Sequence, residues 1–331
     1  MTTEVDRLIA GLSQRKIRDL ARAITLVENG GPEGLELLAR LAAGSSAGGS
    51  ASRCEVIGIT GSPGVGKSTM TDALIAAYRA AGKSVAVLAV DPSSPFSGGA
   101  LLGDRVRMQS HSLDPEVFIR SMASRGHLGG LAAAAGQVLR VLDAAGFDVV
   151  LVETVGVGQS EVEVAAAADT TIVLLAPGMG DGIQAAKAGI LEIGDVFVVN
   201  KADREGAQST ARDLRQMIAM ATDGSTDGST DGSQSWLPPV LTTIASTGVG
   251  IDEVVASIGD HRSWAIENGE LERRRRARAR EEVVATVVGM LQTRLDEQPL
   301  SPELEAVAAE VATGEVDVHG AASRLWKMIG R

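Results

Sequence analysis

The sequence predicts an α/β fold in which a mostly parallel β-sheet carries helices on both faces and is extended by helices at both ends. Three observations predict it. Six short apolar runs alternate with helical stretches between residues 56 and 243, and the first run leads directly into a glycine-rich turn. The residues before and after that region follow helical spacing with no further strand pattern. Nearly continuous apolar strands separated by helices are the mark of a sheet buried on both sides.

In chain order, residues 4–42 carry Leu8, Ile9, Leu12, Ile17, Leu20, Ile24 and Leu26 at helical spacing, punctuated by Gly30, Gly31 and Pro32. They predict two or more helices. A Gly/Ser/Ala stretch, Gly44 to Ser52, reads as a linker and closes an N-terminal extension at residues 1–52. The expected strands are Val56–Thr60, Ser84–Val90, Asp148–Glu153, Thr170–Ala176, Val196–Val199 and Val240–Thr243, which define a main domain over residues 53–260. Right-handed crossovers place the loops after these strands along one rim, where open α/β sheets bind ligands. Thr222 to Ser233 reads TDGSTDGSTDGS, a polar surface insertion that lacks the spacing and closing glutamate of a calcium loop. Residues 261–331 are expected to form a helical extension, with a long segment around Glu267 to Leu295 followed by two shorter ones.

Composition narrows the function. With 331 residues, 44% hydrophobic and 22% charged, the chain has ordinary globular usage. Only three Trp, one Tyr and four Phe are present, too few for aromatic platforms that stack bases. A formal net charge of −11 repels phosphate backbones, so no nucleic-acid partner is expected. The basic run Arg273–Arg280, interleaved with glutamates, reads as a solvated or subunit-facing helix surface. Cys54 is the single cysteine, and His111, His127, His261 and His319 are scattered, which argues against a thiolate or imidazole metal centre. Neither a secretory leader nor a membrane-length apolar run is apparent, so the expectation is a cytoplasmic protein with no membrane partner.

The run Val56–Thr60 leads into Gly61-Ser62-Pro63-Gly64-Val65-Gly66-Lys67-Ser68-Thr69, a full G-x-x-x-x-G-K-S/T match ahead of a helical stretch. Its glycines let backbone N–H groups turn toward phosphate oxygens, and the helix N-terminus adds partial positive charge. Lys67 is expected to reach the β- and γ-phosphates and Ser68 to ligate Mg²⁺. The chain is therefore expected to be a P-loop NTPase. After Val196–Val199 come Asn200, Lys201, Ala202 and Asp203, an N-K-x-D pattern. Its aspartate accepts hydrogen bonds from guanine N1 and the 2-amino group, which adenine does not offer. Ile244, Ala245 and Ser246 stand where an S-A-x loop usually meets guanine O6 through the alanine N–H, with Ile in place of the first Ser.

Glu153, Thr154, Val155 and Gly156 occupy the place of a D-x-x-G switch, so Glu153 is expected to hold Mg²⁺ through water and the Gly156 N–H to sense the γ-phosphate. Val157 follows that glycine where a water-orienting Gln would stand, and Gln159 is displaced. Intrinsic hydrolysis is therefore expected to be slow and to need a partner. Asp91 and Asp104 bracket a Gly/Pro/Ser-rich loop and are candidates for holding Mg²⁺ or positioning water.

ITGSPGVGKST at 59–69, AVDPSSPFSGGALLGDRVRM at 89–108, SRGHLGG at 124–130, VETVGVGQSE at 152–161, PGMGDGIQAAKAG at 177–189 and NKAD at 200–203 together resemble the MeaB/ArgK family, GTPase chaperones associated with methylmalonyl-CoA mutase. The resemblance implies a G domain of the signal-recognition-particle-like class and a C-terminal extension that serves a homodimer. It also implies docking on an adenosylcobalamin-dependent methylmalonyl-CoA mutase or related acyl-CoA mutase, where GTP gates cofactor loading and protection. By resemblance the catalytic positions are Lys67, Asp104, Glu153 and Lys187, the last as a partner-induced element, and Mg²⁺ falls to Ser68, Asp91, Asp104 and Glu153. No tightly bound organic cofactor is expected beyond GTP or GDP as substrate and product. Two rival readings are a nucleotide-dependent kinase of a lysine/arginine/ornithine transport system and a metal-insertion GTPase. NKAD disfavours ATP in the first, and the scattered histidines disfavour the second.

Overall fold

The computed structural model describes residues 3–47, 54–92, 111, 113–124, 130–154, 160–178, 189–223, 235–296 and 300–329. Its core is one sheet of seven strands: β1 Glu55–Thr60, β2 Val85–Pro92, β3 Val117–Ser124, β4 Val149–Thr154, β5 Thr170–Leu175, β6 Val196–Val199 and β7 Val240–Thr242, in the order β3-β2-β4-β1-β5-β6-β7. Every pairing is parallel, with Ile57 opposite Leu151 and Thr170, and Val198 opposite Leu241. The strands are apolar along their length because both faces are covered. On one face Ile57, Ile59, Leu151 and Leu174 pack against Met70 and Leu74 of α4 (Lys67–Ala80) and Val254 and Ile258 of α9 (Ile251–Glu267). On the other, Val56, Val150, Val152 and Leu88 pack against Val138 and Leu142 of α5 (Gly130–Ala144). Helices α6 (Ser160–Ala167), α7 (Ile190–Ile193) and α8 (Ala207–Asp223) complete the layers.

Strand β3 has no counterpart among the six expected runs. Its sequence VFIRSMAS carries Arg120, Ser121 and Ser124 among the apolar residues, which hides it from an apolar-run reading. An edge strand tolerates such residues, and here they are used: Arg120 pairs with Glu28 at 2.6 Å and donates to Thr25 at 3.1 Å, both on α2. The expected ends also shift, since β2 continues through Pro92 and takes Asp91 out of the loop into the strand.

The N-terminal extension is three helices, α1 (Glu4–Ser13), α2 (Ile17–Asn29) and α3 (Pro32–Ala47). Thr3 and Asp6 form a reciprocal capping box at the start of α1, and Gly30, at φ +67°, ends α2 in the left-handed conformation that glycine adopts without strain. Helix α3 runs through Ala47, so residues 44–47 are helical and not linker. Leu12, Leu20, Ile24 and Leu37 of this bundle share a core with Val138 and Leu142 of α5, which fastens the extension to the sheet layer.

Helix α9 crosses residue 260 and breaks at Gly269, where φ is +69°. Helices α10 (Glu270–Asp296), α11 (Leu300–Thr313) and α12 (Val318–Ile329) follow. The arginine run on α10 is not simply a solvated surface. Arg274 pairs with Asp195 at 2.7 and 2.8 Å, and Arg275 and Arg278 pair with Asp169 at 2.6 and 3.1 Å. Asp169 and Asp195 are buried immediately ahead of β5 and β6, so these arginines at i, i+1 and i+4 clamp the helix to the N-terminal edge of the sheet. Arg273 and Arg276 remain in solvent. In the TDGS stretch, Thr222 and Asp223 belong to α8 and residues 224–233 lie outside the described residues.

Candidate nucleotide site

The C-terminal ends of β1, β4, β6 and β7 lie along one rim, so the segments that follow them converge, as open α/β sheets require. Gly61 to Gly66 turn from β1 into α4, which begins at Lys67. Two glycines are fixed by close approach as well as by backbone angle. A Cβ on Gly61, at φ +139°, would stand 2.2 Å from the Leu174 carbonyl oxygen, and one on Gly66, at φ +99°, would stand 2.5 Å from Asn200 Nδ2. Lys67 is buried and donates from Nζ to the Gly61 carbonyl at 2.6 Å and the Ser62 carbonyl at 3.3 Å. That holds the ammonium across the loop, beside a helix N-terminus, where a phosphate would find both a cation and backbone donors.

Behind the loop, Glu153 projects from β4 and is buried. Ser68 Oγ donates to its Oε1 at 2.8 Å, and Thr71 Oγ1 lies 2.8 Å from its Oε2. A hydroxyl and a carboxylate side by side form an oxygen donor pair that suits a hard cation. Among the described residues no group of three His, Cys, Asp or Glu could hold a metal unaided. The pair fits Mg²⁺, which takes one or two protein oxygens and completes its shell from phosphates and water. When bound, Mg²⁺ neutralises charge on the β- and γ-phosphate oxygens; Ser68 and Glu153 would hold it and Lys67 would bind the phosphates beside it.

Asn200 ties three loops together. It is buried, its Nδ2 donates to the Val65 carbonyl at 2.9 Å, and its Oδ1 accepts from Thr243 Oγ1 at 3.2 Å and Ala245 N at 3.0 Å. Lys201, at φ +59°, donates from Nζ to the Gly64 carbonyl, and Ala202 N donates to the Thr243 carbonyl at 2.9 Å. Asp203 stands exposed on this turn, and no other described side chain engages its carboxylate. The Ala245 N–H, expected at guanine O6, is donated to Asn200 here, while Ile244 bridges to Val249. A cleft of about 360 Å³ lies between Thr69 to Ala77 of α4 on one side and Ala245, Ser246 and the start of α9 at Ile251 and Asp252 on the other. The cleft borders the loop after β7 and excludes Gly61 to Ser68.

The structure thus brings together Gly61 to Thr69, Glu153, Asn200, Lys201, Asp203 and Ala245. Asp91 lies near the end of β2, two residues past Ala89, the register partner of Glu153. Asp104, Gly156 and Lys187 lie outside the described residues. Two residues of the site were missed by sequence reasoning. Thr71 stands one helical turn past Ser68, a spacing that would have placed both hydroxyls on one face, and Thr243 ends the run before Ile244.

A phosphate-binding turn after the first strand of an all-parallel sheet, with an Asn-Lys-x-Asp turn two strands along the same rim, places the chain among P-loop GTPases. Comparison with known proteins narrows the class. The pattern of the family described as methylmalonyl Co-A mutase-associated GTPase MeaB matches residues 20–299, and the chain belongs to that family of GTP hydrolases. A relative in Pyrococcus abyssi is 42% identical over 98% of this chain and 97% of its own. GTPase ArgK of Escherichia coli is 40% identical over 80% of this chain and 78% of its own. A crystal structure described as LAO/AO transport system kinase superposes with a TM-score of 0.66 at 28% identity, over 99% of this chain and 98% of that one.

Proposed function

We propose that this GTPase docks on adenosylcobalamin-dependent methylmalonyl-CoA mutase, or a related acyl-CoA mutase, and uses GTP binding and hydrolysis to gate loading and protection of the mutase cofactor. The observation that carries the reading is the family match across residues 20–299, whose description names the mutase. In this reading Gly61 to Thr69 bind the phosphates, Ser68 and Glu153 hold Mg²⁺ with Asp91 and Asp104, Gly156 senses the γ-phosphate, and Asp203 selects guanine with Asn200 and Lys201 as its frame. Hydrolysis is slow alone because Val157 replaces a water-orienting Gln, and the partner brings Lys187 into play. The C-terminal helices form a homodimer; the exposed Val283, Val284, Val287 and Met290 on α10 give it an apolar face.

A second reading comes from the description of the structural relative as a transport-system kinase. A kinase using ATP would gain nothing from Asp203, whose carboxylate adenine leaves unpaired. The two readings separate in one experiment. The protein, loaded with a slowly hydrolysed GTP analogue or with GDP, is mixed with purified methylmalonyl-CoA mutase, and both complex formation and GTP turnover are followed. A nucleotide-dependent complex with faster turnover is expected. No complex in either state would leave a GTPase without this partner, and tighter binding of ATP than of GTP would favour the kinase.

A further inference from the structure

The geometry points to Thr71 as a positioning residue for the cation pair, acting through Glu153. Thr71 is fully buried on α4, one turn past Ser68. Its single hydroxyl proton has two acceptors within reach: Glu153 Oε2 at 2.8 Å and the Lys67 carbonyl, four residues back on the helix, at 3.1 Å. An ionised carboxylate only accepts, so the proton belongs to one of these oxygens at a time. The shorter contact fixes the second oxygen of Glu153 while Ser68 fixes the first at 2.8 Å. Glutamate has one more torsion than aspartate, and two anchors hold it in one rotamer.

The second acceptor matters as much as the first. Threonine in a helix readily donates to the i−4 carbonyl, so the Thr71 proton would fall back on Lys67 O if Glu153 were drawn to a bound ion. No buried hydroxyl is stranded, and Glu153 is released without the penalty of an unpaired group. Thr71 therefore sets where Glu153 rests, and engagement of the ion would exchange a bond to a charged oxygen for one to a neutral carbonyl.

This inference rests on reading Ser68 and Glu153 as the cation pair, and the test separates the two. Binding of a fluorescent, non-hydrolysable GTP analogue is titrated with Mg²⁺ for the parent protein, Ser68→Ala, Glu153→Gln, Thr71→Val and Thr71→Ser, with each protein's binding in EDTA as the fold control. Because the bond to the charged carboxylate is made at rest and given up on engagement, Thr71→Val is predicted to lower the Mg²⁺ midpoint about tenfold. Thr71→Ser, which keeps the hydroxyl, is expected to stay within about threefold of the parent. Should the valine protein not fold, Thr71→Cys, a weak donor of similar size, is expected to lower the midpoint in the same direction. A parent-like midpoint in the folded valine or cysteine protein, or a serine protein shifted as far as the valine one, overturns the role of Thr71. Unchanged midpoints in Ser68→Ala and Glu153→Gln overturn the cation pair itself.

Discussion

Asp203 stands exposed on the turn after β6 while Asn200, three residues earlier, is buried and bonded to Val65, Thr243 and Ala245. On the proposed reading the two residues divide one task, since Asp203 would offer a carboxylate to guanine while Asn200 holds the turn, the loop after β1 and the loop after β7 in one frame. Asp203→Ala is expected to lower the preference for GTP over ATP by about 10²-fold with little change in melting temperature, as measured by competitive nucleotide binding. Asn200→Ala leaves the Ala245 N–H and Val65 carbonyl without this partner, and is expected to lower both nucleotide affinity and stability, by roughly 2 kcal/mol in denaturant unfolding. Lys67→Ala is expected to abolish GTP binding in the same assay. At this scale the glycine-rich turn after β1 and the Asn-Lys-x-Asp turn after β6 were legible because each is contiguous in sequence. The partnership of Glu153 with Thr71 was not, because it depends on which strand end faces which turn of α4.

Helix α10 and the edge strand β3 show what apolar patterning conceals. Six strands declared themselves as apolar runs, whereas β3 mixes Arg120 and serines into an edge whose partner is the N-terminal extension. The arginine run reads in sequence as a solvated or subunit-facing surface because the carboxylates that receive it lie 79 and 106 residues away, at Asp195 and Asp169. Burial pushes the Asp169 carboxyl up, but the hydrogen bond from Arg275, the charges of Arg278 and Arg275 and the Val56 N–H outweigh it and hold the group below the ordinary aspartate range. A carboxyl depressed in the folded state contributes stability that is full above its unfolded pKa of about 4 and is lost as pH falls through the folded value. Asp169→Asn is therefore expected to destabilise the protein by about 3 kcal/mol at neutral pH. The gap from the parent should close below about pH 4, as followed by urea unfolding across a pH series. A gap that stays constant with pH would mean that the clamp acts by shape and not by charge.

Across the whole molecule, the nucleotide rim and the α10 clamp sit at opposite ends of the same strands. Asp195 immediately precedes β6, and Asn200 follows its last residue. Helices at both chain ends are fastened to the sheet by ion pairs from Arg120 and from Arg274, Arg275 and Arg278. The face of α10 bearing Val283, Val287 and Met290 stays open to solvent. Dimerisation through that face predicts that Val287→Lys halves the mass observed in sedimentation equilibrium while GTP affinity holds. On the proposed function a cobalamin-dependent acyl-CoA mutase drives the catalytic cycle of this GTPase, and single-turnover GTP hydrolysis is the measurement to make, with and without methylmalonyl-CoA mutase. Slow turnover alone, an acceleration of at least about tenfold with the mutase, and loss of that acceleration but not of GTP binding in Lys187→Ala are the predicted results. Equal rates with and without the mutase would contradict a mutase-driven cycle.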